Sequence, residues 1–440
     1  MMESIFAGAV YAITGALFLH LAREHRASSP VFWWLFAMGL IAIGTFVLID
    51  LSHPSDAAHL AAFLIAICTF ALSCLVYSSR FGVRHALQLY RQRPEEPDTS
   101  DAVTMTALLL LVSAVVTIVY FYLLGFNLFV LLLTGSVGDY SGMRLSMYSG
   151  DEYFAPGYVN QFKNTLYPLT ATAVVIWVRR RGSRFAWPLT TALVGFGVFA
   201  LLGTGQRAYI LFAMFAAVYG VHLLSMGQGR SFLMRKALLV MLPAFGLFTV
   251  LTIAYRDIEG AGAGEVISEI AERFLRVQQE GGLIGFRYIA ERDTPWFAEW
   301  AKGLIGIIPG REGSTIAHEI HGEVYGSTQG TIPLTAVGSA YQNGGLAAVG
   351  MLFWALGFVY SLLYHRFLSG ARTVLRSVAY GVLFFYLATY VVGPPESLID
   401  AGAVTVVIFL LLRKLRWLPG PRLRSEVRSF QPAPQGRPMV

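Results

Sequence analysis

The sequence is poor in charge. Lys, Arg, Asp and Glu make up 13% of its 440 residues, about half the share of a soluble domain. That shortage excludes a soluble globular enzyme, a disordered chain and a nucleic-acid-binding domain. Cysteine is nearly absent: Cys68 and Cys74 lie six apart in one apolar stretch. A helix sets them more than a turn apart, which argues against a mutual disulfide. No GxxxxGK[ST] loop is present, which argues against an ATP-driven pump. The first residues lack a basic segment before their apolar run and a small-residue cleavage site, so they do not read as a signal peptide.

What is abundant is apolar sequence: 55% of residues are hydrophobic, and the mean hydropathy is +0.58. Runs near spanning length recur, each needing ~20 residues. The reading is an all-α polytopic membrane protein with about 11 transmembrane helices (10–12). The spans fall at about 4–22, 30–50, 60–79, 102–125, 164–178, 186–203, 208–225, 237–255, 345–365, 377–393 and 398–412. Residues 1–255 then hold helices 1–8 with an outer loop at 134–163. Residues 256–344 form a large, partly helical loop or cap, and 345–412 hold helices 9–11. The tail 413–440 is basic and reads as disordered.

The sides follow from the basic residues. Of 33 Lys and Arg, 23 fall on one side of these spans and 10 on the other, while acidic residues divide 6 to 20 in the opposite sense. The positive-inside rule makes the basic side cytoplasmic, with the N-terminus out and the C-terminus in. The same rule, with anionic lipid headgroups, accounts for the net charge of +7 without a nucleic-acid partner.

Chemistry-bearing residues gather outside. The loop 256–344 is too long to be a plain connection, and it is aromatic-rich. Glu265–Glu280 reads as an amphipathic helix through Ile267, Ile270, Phe274 and Val277. Trp296–Ile308 places Trp296, Trp300, Leu304 and Ile307 on one stripe, suited to a helix lying along the membrane surface. A folded lid without catalytic parts is the plainer alternative.

Arg207, in Gly203-Thr204-Gly205-Gln206-Arg207, sits at the outer ends of two spans. A guanidinium there needs a partner or an anion. A phosphate would serve, and so would a carboxylate such as Asp139 or Asp257. Arg256 ends its own span beside Asp257, where an ion pair competes more strongly. Arg287 and Arg311 could converge on the same anion. His318-Glu319-Ile320-His321-Gly322-Glu323 collects two imidazoles and two carboxylates. The histidines are three apart, one short of HExxH, so a zinc site is rejected and no metal is expected. A histidine or carboxylate there could act as general base, or the cluster could be a hydrated helix end. Thr331–Gly345 follows, with Tyr341 and Asn343 as polar tips of a segment that could be re-entrant.

Three pieces of sequence together resemble bacterial oligosaccharide repeat-unit polymerases of the Wzy type, the O-antigen and exopolysaccharide polymerases. They are Gly157-Tyr158-Val159-Asn160-Gln161-Phe162-Lys163-Asn164, the turn Gly203–Arg207, and Pro333 … Gly338-Ser339-Ala340-Tyr341-Gln342-Asn343-Gly344-Gly345 … Gly350. Gly344 stands where the family's pattern often has Phe. The resemblance implies a GT-C-like membrane glycosyltransferase plan in the bacterial inner membrane, active on its periplasmic face. It implies transfer of a growing glycan from undecaprenyl pyrophosphate to a lipid-linked repeat unit, without metal or other cofactor. Implied partners are the lipid bilayer, the lipid-linked glycan, a chain-length co-polymerase and a flippase.

Such transfer needs cations for the departing pyrophosphate and a base for the acceptor hydroxyl. Arg207, Arg256 and Arg311 are the expected pyrophosphate ligands. His318, His321 and Glu323 are the candidate catalytic groups, and Arg287, Tyr341 and Asn343 the glycan contacts. An O-antigen ligase shares this chemistry and differs in its acceptor. A secondary transporter or glycan flippase is the rival of another class, but transporters carry ionisable groups in mid-span, and here those groups collect at one face.

Overall fold

A computed structural model of the chain describes residues 28–136, 142–143, 156–206, 208–226, 246, 264–265, 268, 272, 276–292, 296–308, 311–327 and 330–412. The expected span at 4–22, that at 237–255 apart from residue 246, most of the helix at 265–280, the tail 413–440, and both Arg207 and Arg256 lie outside them. The described residues are mostly helical and contain no strand.

One helix is turned inside out for water. Helix α4 (Ser100–Leu124; α1 to α3 follow below) buries Thr106, Ser113 and Thr117 and exposes Leu108, Leu111, Val115, Ile118 and Leu123. Its buried Thr106 and Thr117 hydroxyls bond the carbonyls of Ala102 and Ser113 at 2.6 and 2.7 Å, so both threonines are satisfied within the helix. An exposed apolar stripe of that length is untenable in water and suits lipid. Among the described residues four helices are long and apolar enough to cross a membrane: α2 (Pro54–Phe81), α4, α9 (Ala208–Ser225) and α14 (Gly345–Ser369).

Caps set the helix limits. Pro30 opens α1 (Pro30–Leu48), with Ser29 Oγ accepting from Val31 N at 3.2 Å. Gly82, at φ +61°, ends α2 and turns into α3 (Val83–Gln92). Thr99 caps α4, and Gly125, at φ +82°, ends it. Asn127 caps the short α5 (Leu128–Leu133) by accepting from Phe129 N and Val130 N. After α6 (Pro156–Asn160) the helix widens into a π-turn at Gln161–Leu166 and continues as α7 (Tyr167–Arg180). Pro168 supplies the reason. It has no N–H for the Asn164 carbonyl and would collide with it in a regular α-helix. The widening lets Tyr167 N bond Phe162 O instead, and Tyr386 donates its hydroxyl to the freed Asn164 oxygen at 3.2 Å.

The remaining helices among the described residues are α8 (Ala186–Leu202), α10 (Gln278–Ala290), α11 (Ala298–Gly306), α12 (Ile316–Tyr325), α13 (Ala336–Gln342), α15 (Val374–Thr389), α16 (Ser397–Asp400) and α17 (Ala403–Leu412). The core lies where α2 packs on α14 and α9 on α15. Glycines allow both contacts. A Cβ on Gly357 would meet Phe70 O at 2.5 Å, and one on Gly381 would meet Gly220 Cα at 2.5 Å. Small residues that let backbones approach are the means by which helices pack in lipid. Between these pairs Trp34 stacks on Phe70 at 3.9 Å and donates Nε1 to Tyr390 O at 2.8 Å. Cys68 and Cys74 are both free thiols.

The helices the sequence reading treats as spans have two polar ends. At one, buried Arg372 donates Nε and Nη2 to Leu224 O and Nη1 to Arg93 O, at 2.6–3.1 Å. Asp98 accepts there from Trp177 Nε1 and Leu375 N. At the other, Asp56 takes a bidentate pair from Arg287 at 2.7 Å per bond, fastening α10 to the start of α2.

Candidate functional site

The second polar end holds a cavity of about 1110 Å³, above the ~300–1,000 Å³ of most small-molecule pockets. Its walls come from α11, the loop to α12, the Pro333–Gln342 segment, the break between α15 and α17, and the turn at Gly157–Gln161.

Two non-helical breaks meet beside it. Thr335 and Val392 form an antiparallel bridge, Ala336 N bonds Val391 O at 3.0 Å, and Gly393 N bonds Leu334 O at 2.6 Å. Gly393, at φ +89°, makes the second break possible and leads through Pro394 and Pro395 to Glu396 on the cavity wall. The backbone groups freed by breaking both helices thus satisfy one another.

Asn343 fixes the facing wall. Its backbone oxygen accepts from Phe297 N and its Oδ1 from Trp300 N, at 3.1 Å each. These are N–H groups at the start of α11, where Phe297 stands at φ +59° and cannot cap with its own side chain. Trp300 Nε1 donates to Ser339 Oγ at 3.0 Å, so its indole is presented to the cavity in one orientation. Gly303 lets the Glu396 carboxylate lie against α11, where a Cβ would collide with it.

Among the expected site residues, Arg311 and His318 line this cavity together. Arg311 is exposed, and among the described residues its guanidinium has no hydrogen-bond or ion-pair partner. His318 Nδ1 lies 2.9 Å from Gly330 O; a carbonyl only accepts, so Nδ1 carries the hydrogen. Glu299 is also on the wall, accepting from Lys302 at 2.6 Å and Ser314 at 2.7 Å. The bond to Glu299 raises the Lys302 pKa above its ordinary value.

The other described candidates are not on the cavity wall. Arg287 is engaged with Asp56, and buried Asn343 is spent on α11 and on Ser339 O. Tyr341 packs its ring 4.7 Å from Phe286. His321 bonds Ser327 O through Nδ1 and faces Tyr325 at 4.9 Å. Glu323 pairs with Arg292 at 2.9 Å on an exposed surface. Among the described residues no group of three or more His, Cys, Asp or Glu is placed to hold a metal ion.

Sequence reasoning gave no site role to Glu396, nor to Gln342, Ser339 and Gln161, which it quoted only within the resembling motifs; all four line the cavity. Glu396 carried one signal, an acidic residue in the four-residue connection between two apolar runs. The others reach the site through contacts far apart in the chain, such as Gln161 Nε2 on Ile399 O, 238 residues away, which no local pattern encodes. No family model, curated protein or solved structure matches the chain.

Proposed function

We propose that the protein is a membrane glycosyltransferase of the bacterial inner membrane. It polymerises undecaprenyl-pyrophosphate-linked repeat units on the periplasmic face. The observation that carries this reading is the cavity in which Arg311 and His318 face a fixed Trp300 and the Glu299 and Glu396 carboxylates. Arg311 offers bidentate charge to a phosphate. Trp300 offers a face to a sugar ring. His318, with Nδ1 donating to Gly330 O, takes the acceptor hydroxyl's proton at Nε2, or a wall carboxylate does so. The reaction exchanges one bond for another: the acceptor oxygen bonds the anomeric carbon, its proton passes to the base, and the lipid pyrophosphate departs. The cavity is large enough for more than one sugar.

Orientation follows from the basic side of the chain being cytoplasmic. Arg372, Arg93 and Arg180 belong to that side, and the cavity belongs to the acidic one. The ligase reading rests on the same site and differs only in acceptor.

Deleting the gene and running lipid-linked and surface glycans on a gel is the test. Loss of the ladder with a single capped repeat remaining is expected. Full-length polymer stranded on the carrier would point to a ligase, and an unchanged profile would discard both. In the complemented strain, Arg311→Ala is expected to abolish polymer while the protein still inserts at the wild-type level.

A further inference from the structure

A buried lysine without a counter-charge among the described residues lies behind the cavity wall. Lys163 is completely inaccessible. Its Nζ donates to Thr204 Oγ1 at 3.1 Å, and among the described residues it has no other partner. An ammonium has three donors, so two are unspent. Beside it in sequence, buried Asn164 has neither its amide nitrogen nor its side-chain oxygen bonded, and Gln206 Oε1, two residues beyond Thr204, is buried and unbonded as well. Buried polar groups are nearly always paired. Lys163 thus leaves donors unspent, and the same turn and loop carry the unbonded Asn164 amide and Gln206 oxygen.

The backbone is shaped for it. Lys163 and Asn164 sit in the π-turn that Pro168 enforces, and such turns concentrate at functional positions. Gln161, two residues earlier on that turn, lines the cavity and is held by Thr405 Oγ1 at 2.6 Å and Ile399 O at 3.1 Å. One edge of the turn therefore belongs to the cavity, and the other points Lys163 at the Gly203–Gln206 loop, which Arg207 follows directly in sequence. The Lys163–Thr204 hydrogen bond is the side-chain bond that ties turn and loop together.

We propose that Lys163, with Thr204 and Asn164, is an anion site that takes a phosphate group of the lipid pyrophosphate. The lipid identity rests on the polymerase reading; the anion site does not. Enclosure gives the site its selectivity. An ammonium–phosphate contact shielded from water is far stronger than an exposed one, and the unbonded Asn164 amide nitrogen is a further donor for phosphate oxygens, which an apolar ligand lacks. The loop parts from the turn to admit the headgroup, exchanging the bond to the Thr204 hydroxyl for bonds to an anion.

The test uses the full chain purified in detergent and three probes: undecaprenyl pyrophosphate, undecaprenol and inorganic pyrophosphate. Binding is read as ligand-induced thermal stabilisation. Lys163→Met is expected to weaken binding of undecaprenyl pyrophosphate by about tenfold or more and to leave undecaprenol unaffected. Its melting temperature without ligand should be unchanged or higher, because an unpaired buried charge has been removed. Asn164→Leu, which breaks no existing side-chain hydrogen bond, is the second variant and should weaken binding in the same sense. Equal binding of undecaprenyl pyrophosphate by wild type and both variants would overturn the site. Inorganic pyrophosphate binding as well as the lipid, with the same Lys163 dependence, would keep the anion site and overturn the lipid source. Lys163-dependent binding alongside an unchanged glycan profile in the deletion strain would discard the polymerase reading alone. A lost ladder together with normal binding and full activity in Lys163→Met would discard the anion site alone.

Discussion

Replacing Arg287 separates a scaffold role from a glycan contact. Its Nε and Nη2 each lie 2.7 Å from an Asp56 oxygen. Asp56 has no exposed surface, and its further donor is Asp50 N at 2.8 Å. Arg287→Met keeps the aliphatic stem and strands a buried carboxylate on one N–H. Two unit charges 4 Å apart attract by about 4 kcal/mol at an effective dielectric near 20. Stripping one partner from a buried pair costs about 3–5 kcal/mol. The Arg287 side chain is 36% exposed, so water reaches the gap and the expected loss falls to about 2–4 kcal/mol. Adding Asp56→Leu removes the stranded charge and should return the protein to within ~1–2 kcal/mol of wild type, because well-packed apolar pairs replace buried ion pairs at little cost. Unfolding of the four purified proteins in detergent completes the cycle. Strict additivity would refute the structural account. The glycan ladder of the same four tells the two roles apart. A scaffold role predicts that Asp56→Leu restores polymer in the Arg287→Met background, and a direct glycan contact predicts that it does not.

Gly381→Val should sharply lower the melting temperature and the monodisperse yield, since its Cβ would fall 2.5 Å from Gly220 Cα and backbone cannot give way. Gly39→Ala, with nothing within 4 Å, is the control that should leave both unchanged. Tyr386→Phe removes the donor to the Asn164 carbonyl and should cost about 1–3 kcal/mol in thermal unfolding. Pro168→Ala in that background supplies a backbone N–H for the same oxygen, and failure to recover part of the loss would contradict the explanation of the π-turn.

Much of the helical layout was legible because apolar length is a local property. The runs at 30–50, 102–125, 186–203 and 208–225 appear as α1, α4, α8 and α9 within a few residues. The departures have physical causes. The run at 60–79 belongs to a helix beginning at Pro54, because Asp56 and His59 are polar in sequence but buried against α10, with His59 packed on Phe286 at 4.7 Å. The run at 164–178 belongs to a helix beginning at Pro156. Pro168 resembles a helix start in sequence, and the structure carries the helix through it by widening. The stripe at Trp296–Ile308 shortens to Ala298–Gly306, with Trp296, Leu304 and Ile308 exposed. Of the site, Arg311 and His318 were legible as charge and imidazole out of place. Asn343 was marked by its type and given another task, because its capping of α11 joins residues 43 apart.

Arg372 bears on the order in which the protein is made. It stops the carbonyls of Leu224 and Arg93, residues 148 and 279 positions earlier, and the slot in α2 that receives Gly357 waits 283 positions for its occupant. A chain emerging N-terminus first inserts α2 and α9 long before α14 and α15 exist to cover them. Until then the early helices stand in the bilayer with open helix ends and an unfilled groove, the condition in which quality-control proteases and insertion chaperones find their clients. A ribosome stalled before residue 345 would therefore leave a membrane-inserted but unfinished bundle, and the last stretch of the chain is what locks the rest.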